Sequence, residues 1–184
     1  MRIIAGKWRS RRIETRKSMA TRPTLDKVRE AVFSSLGGMF DGGNFLDLYA
    51  GSGANGLEAI SRGMDKAYLV DCSKEAIGSI KENIKALKAE DETDVFCMKD
   101  KKALQVFLEK GIKFDYVYLD PPYAKQINDE ILQFLDEHQM VTPKGMVIIE
   151  SDQNDHFEKE YVHLKYVQEK KYGMSRITYY RCEE

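Results

Sequence analysis

Cysteine is scarce in this chain: Cys72, Cys97 and Cys182 are the only three, and no two form a CxxC pair. An odd, scattered set excludes a disulfide framework and reads as free thiols in a reducing compartment. Histidine is equally sparse. His138, His156 and His163 give no HxxxH or similar spacing, so the sequence predicts no metal site. No apolar run approaches the roughly 20 residues needed to span a bilayer, and residues 1–30 lack the apolar stretch of a signal peptide. The expectation is a cytoplasmic protein. There is also no internal repeat, no linker and no second apolar core, so 184 residues are expected to form one domain.

Net charge is nearly absent too, at −1, but the balance conceals an asymmetry. Residues 1–30 hold ten Lys/Arg against three Asp/Glu, while the remainder holds nineteen against twenty-seven. A basic arm on an acidic body attracts polyanions at one end. Arg9, Arg11, Arg12 and Arg16 are the candidate phosphate contacts, and Trp8 among them favours a nucleic acid, since a base can stack on it. A solvated terminal charge run is the plain alternative.

What the chain does contain is a repeating grammar. The segment "MRIIAGKWRSRRIETR" has a Gly-Lys break between two short stretches that can pair as a hairpin. From Thr24, Leu25, Val28, Val32, Phe33 and Leu36 recur at helical spacing, closed by Gly37-Gly38. Strand-like stretches then alternate with helices. Residues 44–49 precede a helix over about 54–63, and 66–70 precede one from Ser73 with Ala76, Ile77, Ile80, Ile84 and Leu87 on one face. Residues 93–97 precede a helix near 101–110, 114–119 one near 127–138, and 145–150 follow. This alternation predicts a parallel sheet covered on both faces. The end differs: two strands around Lys171–Gly173 predict an antiparallel hairpin closing the sheet.

In such a sheet ligands sit beyond the carboxyl ends of the strands, so the residues just after each strand carry the functional reading. After the first comes "DLYAGSGANG", with Gly51, Gly53 and Gly56 in G-x-G-x-x-G spacing. Glycines let the backbone turn tightly and approach a ligand, with free N–H groups at the helix start behind them. Asp71, ending the second strand, can accept hydrogen bonds from both ribose hydroxyls. This much suits a dinucleotide or S-adenosylmethionine. Asp47 favours S-adenosylmethionine, whose amino-acid end is cationic, whereas a pyrophosphate would be repelled; capping of the glycine loop is its other reading. Tyr49 and Cys72 are counted with this cofactor set. Asp100, after the third strand, either meets an adenine amino group or caps a helix.

The fourth strand ends in "DPPY". An exocyclic base amine is a poor nucleophile because its lone pair is delocalised into the ring. Two acceptors, the Asp120 carboxylate and the Pro121 carbonyl, would favour a pyramidal nitrogen with its lone pair toward the methyl donor. Pro121 and Pro122 hold those acceptors rigidly, and Tyr123 offers a stacking face for an extruded base.

(D/N/S)PP(Y/F) after the fourth strand is the signature of the S-adenosylmethionine-dependent amino methyltransferases. More closely, "RIIAGKWRSRRI", "RPTLDKVREAVFSSL", "FLDLYAGSGANGLEAISRG", "VYLDPPY" and "KKYGMSRITYYR" resemble the RsmD family of 16S rRNA guanine-N2 methyltransferases, from residue 2 to 181. The resemblance implies a Rossmann-like α/β fold of seven strands, the last antiparallel, and no metal. It implies that Asp47, Gly51, Gly53 and Asp71 hold the cofactor and that residues 120–123 hold the base. Arg22, Thr24 and Arg29 fall in the block that this family places near the active-site mouth, and Arg22 and Arg29 join the RNA-contact set. Asn55 stands where a larger apolar residue is commoner. The expected organisation is one methyltransferase domain over 1–184, with 1–38 as an RNA-binding extension and 44–184 as catalytic core. The expected partner is rRNA or a partly assembled small subunit, bound by a monomer.

Rival readings are weaker on stated grounds. A DNA amino methyltransferase usually adds a target-recognition region, for which there is no room. A protein-glutamine methyltransferase typically has Asn in place of Asp120. A catalytically silent RNA-binding assembly factor would not need both the glycine loop and DPPY. A nicotinamide oxidoreductase leaves DPPY without a role.

Overall fold

In the computed structural model β1 (Asn44–Asp47), β2 (Lys66–Asp71) and β3 (Thr93–Cys97) run parallel, in the order β3-β2-β1. Residues 1–15, 23–122 and 125–183 are described. They fall into two compact units, Met1–Asp100 and Lys101–Glu184.

Within the first unit, Phe45, Leu46, Leu69 and Val70 are completely buried, as the β-branched and aromatic content of these strands requires. Between the strands lie α2 (Ala54–Ser61) and α3 (Lys74–Leu87). The expected stripe on α3 is the buried one: Ala76, Ile77, Ile80, Ile84 and Leu87 all face inward. Ser73 caps that helix, its side chain accepting from the Ala76 N–H at 3.3 Å. Helix α1 (Pro23–Ser35) starts on proline, whose missing N–H costs nothing there. It buries Val28, Val32 and Phe33 and ends where Gly37 and Gly38 adopt positive φ.

The two short N-terminal segments pair antiparallel as expected: Arg2 bridges Arg12, the Ile3 N–H donates to the Arg11 carbonyl at 2.9 Å, and the Ile13 N–H donates to the Met1 carbonyl at 2.9 Å. The segment is also anchored to α2. Ile3, Trp8 and Ile13 are buried, the Lys7 N–H donates to the Ser61 carbonyl at 2.9 Å, and the Trp8 N–H donates to Ser61 Oγ at 2.9 Å. Gly6, at φ +88°, comes so close that an added Cβ would stand 1.8 Å from the Ser61 carbonyl oxygen. The segment is therefore part of the first unit's packing.

The second unit holds α4 (Asp100–Glu109, beginning at the boundary), β4 (Phe114–Leu119), α5 (Lys125–Glu137), β5 (Val141–Asp152), β6 (Leu164–Tyr172) and β7 (Ser175–Cys182). β4 and β5 are parallel, β7 is antiparallel to β5, and β6 pairs only with β7, giving the order β4-β5-β7-β6. β5 starts four residues before the expected Gly145. Val141 already pairs with Phe114, and a register shift between Phe114 and Tyr116 absorbs the irregularity. The fold class is the expected one: an α/β protein with mostly parallel strands and a C-terminal antiparallel hairpin. No helix among the described residues is long and apolar enough to cross a membrane.

Candidate active site

The loop from β1 to α2 is built by three glycines with two different jobs. Gly51 and Gly53 take positive φ, +58° and +85°, a conformation that L side chains rarely adopt. Gly56 instead permits close packing of helix on strand, since a Cβ there would lie 2.2 Å from a Leu69 methyl. Gly53 is the N-cap of α2 and supplies no side-chain cap, and the first N–H of the helix, that of Ala54, donates to Ser52 Oγ at 3.4 Å.

Asp71 closes this loop. Its Oδ2 accepts the Gly51 N–H at 3.0 Å and its Oδ1 accepts the Ser73 N–H at 2.9 Å. One carboxylate thus ties the glycine loop to the start of α3. Each oxygen keeps a second lone-pair site for another donor. Asp47, ending β1, is 1% exposed. The Tyr49 hydroxyl donates to Asp100 Oδ2 at 2.6 Å, and Asp100 is the first residue of α4. Cys72 is exposed next to Asp71.

A residue that the sequence reading did not single out holds this assembly from behind. Asn83, on α3 and 2% exposed, donates through Nδ2 to the Ser52 carbonyl at 2.9 Å and to the Glu14 carbonyl at 3.0 Å. Its Oδ1 accepts the Glu14 N–H at 2.9 Å. The signal was readable: Asn83 falls on the apolar stripe of α3, where an amide must find partners.

The expected RNA contacts divide. Arg9, Arg11 and Arg12 are exposed, although Arg11 donates to the Ala86 carbonyl at 2.8 Å and Arg12 lies 3.7 Å from Glu14. Two expectations fail on burial. Trp8 is 8% exposed, packed under the Lys7 ammonium at 4.7 Å, so its face is closed to a base. Arg29 is 4% exposed. Its guanidinium donates to Glu58 at 3.2 Å, to Asp26 at 2.9 Å and to the Arg2 carbonyl, so it is an internal tie and not an RNA contact. Glu58, fully buried, also accepts from Arg62 at 2.8 Å and from the N–H groups of Ile4 and Ala5. Arg16 and Arg22 lie outside the described residues, as does the side chain of Thr24.

In the second unit Leu119 is buried at the end of β4, Asp120 is exposed, Pro121 is buried and Pro122 is exposed. The strand's last apolar residue and Pro121 thus anchor the turn on either side of a solvent-facing carboxylate. Tyr123 lies outside the described residues. Among the described residues no group of three or more His, Cys, Asp or Glu is placed to hold a metal ion.

The family model described as "Conserved hypothetical protein 95" matches residues 1–181. The putative rRNA methyltransferase YlbH of Bacillus subtilis is 34% identical over 181 residues, 98% of each chain. The ribosomal RNA small subunit methyltransferase D of Escherichia coli is 32% identical over 83% of this chain and 75% of its own length. Among solved structures, the putative methyltransferase yhhF from Escherichia coli superposes with a TM-score of 0.85, at 27% identity, over 100% of this chain and 98% of that one. The chain belongs to the "Conserved hypothetical protein 95" family, the RsmD methyltransferases.

Proposed function

We propose that this methyltransferase moves a methyl group from S-adenosylmethionine to the exocyclic N2 amine of a guanine in small-subunit rRNA. The observation that carries the reading is the joining of the glycine loop to Asp71 through the Gly51 N–H. It sets a side-chain-free backbone and a carboxylate side by side. The residues suit the cofactor. Asp71 has lone pairs left for ribose hydroxyls, and the buried Asp47 carboxylate suits a cationic amino-acid end. Tyr49, held on Asp100, and the neighbouring Cys72 complete the proposed wall.

S-adenosylmethionine, when bound, supplies an electrophilic methyl group on a sulfonium. The chain's own contribution is to the amine. The Asp120 carboxylate and the Pro121 carbonyl accept its two N–H bonds, which turns the nitrogen lone pair out of conjugation. As the N–C bond replaces the S–C bond and S-adenosylhomocysteine leaves, the Asp120 carboxylate would pass one N–H proton to solvent. Preorganised acceptors need little rearrangement as the reaction proceeds. Tyr123 stacks on the extruded guanine. The exposed Arg9, Arg11 and Arg12 bind phosphates and help offset the few kcal/mol that extrusion costs. The relatives' names support ribosomal RNA as the substrate class.

The test is methyl transfer from labelled S-adenosylmethionine to naked 16S rRNA and to partly assembled small subunits, with the product nucleoside identified by mass spectrometry. N2-methylguanosine at one position is the expected product, lost with Asp120→Ala. Label on adenine, on protein or nowhere would overturn the reading.

A further inference from the structure

The chain's positive charge sits in two places, and the first is the N-terminal arm. The second is the β6–β7 hairpin: residues 164–182 hold five basic side chains and one acidic, Glu169. Outside the hairpin and residues 1–30, acidic residues outnumber basic ones by twelve. A basic island of this kind in an acidic surround focuses an attractive field for an anion.

Register makes the island costly. Lys165 stands directly opposite Arg181, and Lys171 directly opposite Arg176. Like charges across a strand pair are destabilising, so the hairpin carries two repulsive pairs. Only one member of each is compensated internally: Arg176 by Glu169 at 2.7 Å and Lys165 by Glu160 at 3.8 Å. Lys170, Lys171 and Arg181 are exposed and have no carboxylate within ion-pair distance among the described residues. Protection of an open sheet edge accounts for lysines on the outer strand β6. It does not account for Arg176 and Arg181 on β7, which is paired on both sides. Register sets Lys170, opposite Ile177, and Arg181, opposite Lys165, on one face of the hairpin, and Lys171, opposite Arg176, on the other. β6 is the outer strand, so a phosphate chain running along it can meet lysines from both faces.

We propose that the β6–β7 hairpin is a second RNA-contact surface, with Lys170, Lys171 and Arg181 on phosphates. The assignment rests on the proposed rRNA substrate.

The experiment measures binding of the full chain to a 16S rRNA fragment across a salt series. The Lys170→Gln/Lys171→Gln/Arg181→Gln variant should lower the slope of log affinity against log salt by about 2–2.7, at about 0.7–0.9 per phosphate contact. Its affinity for S-adenosylhomocysteine, measured by calorimetry, should stay at the wild-type value. Lys170→Gln alone, at an exposed side chain, should lower the slope by about 0.7–0.9 and serves if the triple variant does not fold. An unchanged slope in a folded variant overturns the hairpin assignment. Arg9→Gln/Arg12→Gln separates the two levels. If that variant lowers the slope and the hairpin variant does not, the substrate reading stands and the second surface falls. If wild type does not bind the RNA at all, both fall.

Discussion

The Gly51 N–H and the Asp71 carboxylate, twenty residues apart in sequence, are joined at 3.0 Å. The residue proposed to hold the ribose therefore also fixes the loop proposed to lie against the cofactor. Removing it acts twice. Asp71→Ala should weaken S-adenosylmethionine binding by about 1–3 kcal/mol, the scale for charge-assisted hydrogen bonds. Asp71→Asn keeps an acceptor for one N–H and should lose less. Calorimetry that finds both variants at wild-type affinity would remove Asp71 from the site.

Asn83 should influence the same affinity without touching the cofactor. Asn83→Ala strands the Ser52 carbonyl and both backbone groups of Glu14, and an unsatisfied buried polar group costs about 1–3 kcal/mol. Urea denaturation should show a loss of that order, accompanied by weaker cofactor binding as the glycine loop loosens. Lost stability with unchanged affinity would show that Asp71 alone holds the loop.

These two residues also show what the sequence made legible. The glycine loop, the Asp71 position and the stripe on α3 depend on neighbours within a turn or a strand, so spacing exposed them. The fates of Trp8 and Arg29 depend on contacts 53 and 29 residues away, to Ser61 and Glu58. Trp8 reads as surface from its arginine neighbours and Arg29 from its place in the family's N-terminal block, and local sequence carries no record of a carboxylate buried on α2. Glu58 sits among Leu57, Ala59 and Ile60, all buried. A charged residue within such a run is the one local sign that buried cations were to be sought.

Arginines of the N-terminal region should accordingly separate by experiment. Arg29→Ala leaves Glu58 with one guanidinium fewer in a site closed to water, and breaking a buried pair costs about 3–5 kcal/mol. Its effect should appear in denaturation, with the salt dependence of RNA binding unchanged. Arg9→Gln and Arg12→Gln, at exposed positions, should each lower the salt slope by about 0.7–0.9 while leaving the melting temperature in place. A reversed pattern would return Arg29 to the RNA surface.

High pH should destabilise the second unit through its tyrosines. Tyr180 is fully buried, and its hydroxyl donates to the Lys159 carbonyl at 2.7 Å. Burial first, then the Asp129 and Glu160 carboxylates and Tyr166, push its pKa up to about 12. Tyr161, with its ring 6.0 Å away, is raised for the same main reason. A pKa raised on folding stabilises the folded state fully below the unfolded value near 10 and ceases to do so above the folded one. Stability should therefore hold to about pH 10 and fall between there and about 12, each group contributing up to about 1.4 kcal/mol per pH unit. Tyr180→Phe should be less stable at neutral pH, for want of the hydrogen bond, and flatter in the alkaline limb. Denaturation midpoints across that range check this, and an equally steep limb in the variant would contradict it.

Asp120 should separate chemistry from binding. The carboxylate is exposed beside a buried Pro121, which leaves it accessible to a ligand while the turn beneath it is held. If it accepts an N–H of the target amine, Asp120→Ala abolishes methyl transfer with cofactor affinity at the wild-type value. Asp120→Asn should retain a trace of activity, because the amide oxygen still accepts a hydrogen bond but lacks the charge. Tyr123 adds a second reading of the same turn. Base–aromatic stacking contributes about 1–3 kcal/mol, so Tyr123→Ala should cost roughly ten- to hundredfold in kcat/KM, whereas Tyr123→Phe keeps the ring and should be mild. Equal damage from both would assign the role to the hydroxyl. Weakened cofactor binding in Asp120→Ala would move that carboxylate from the base to the cofactor.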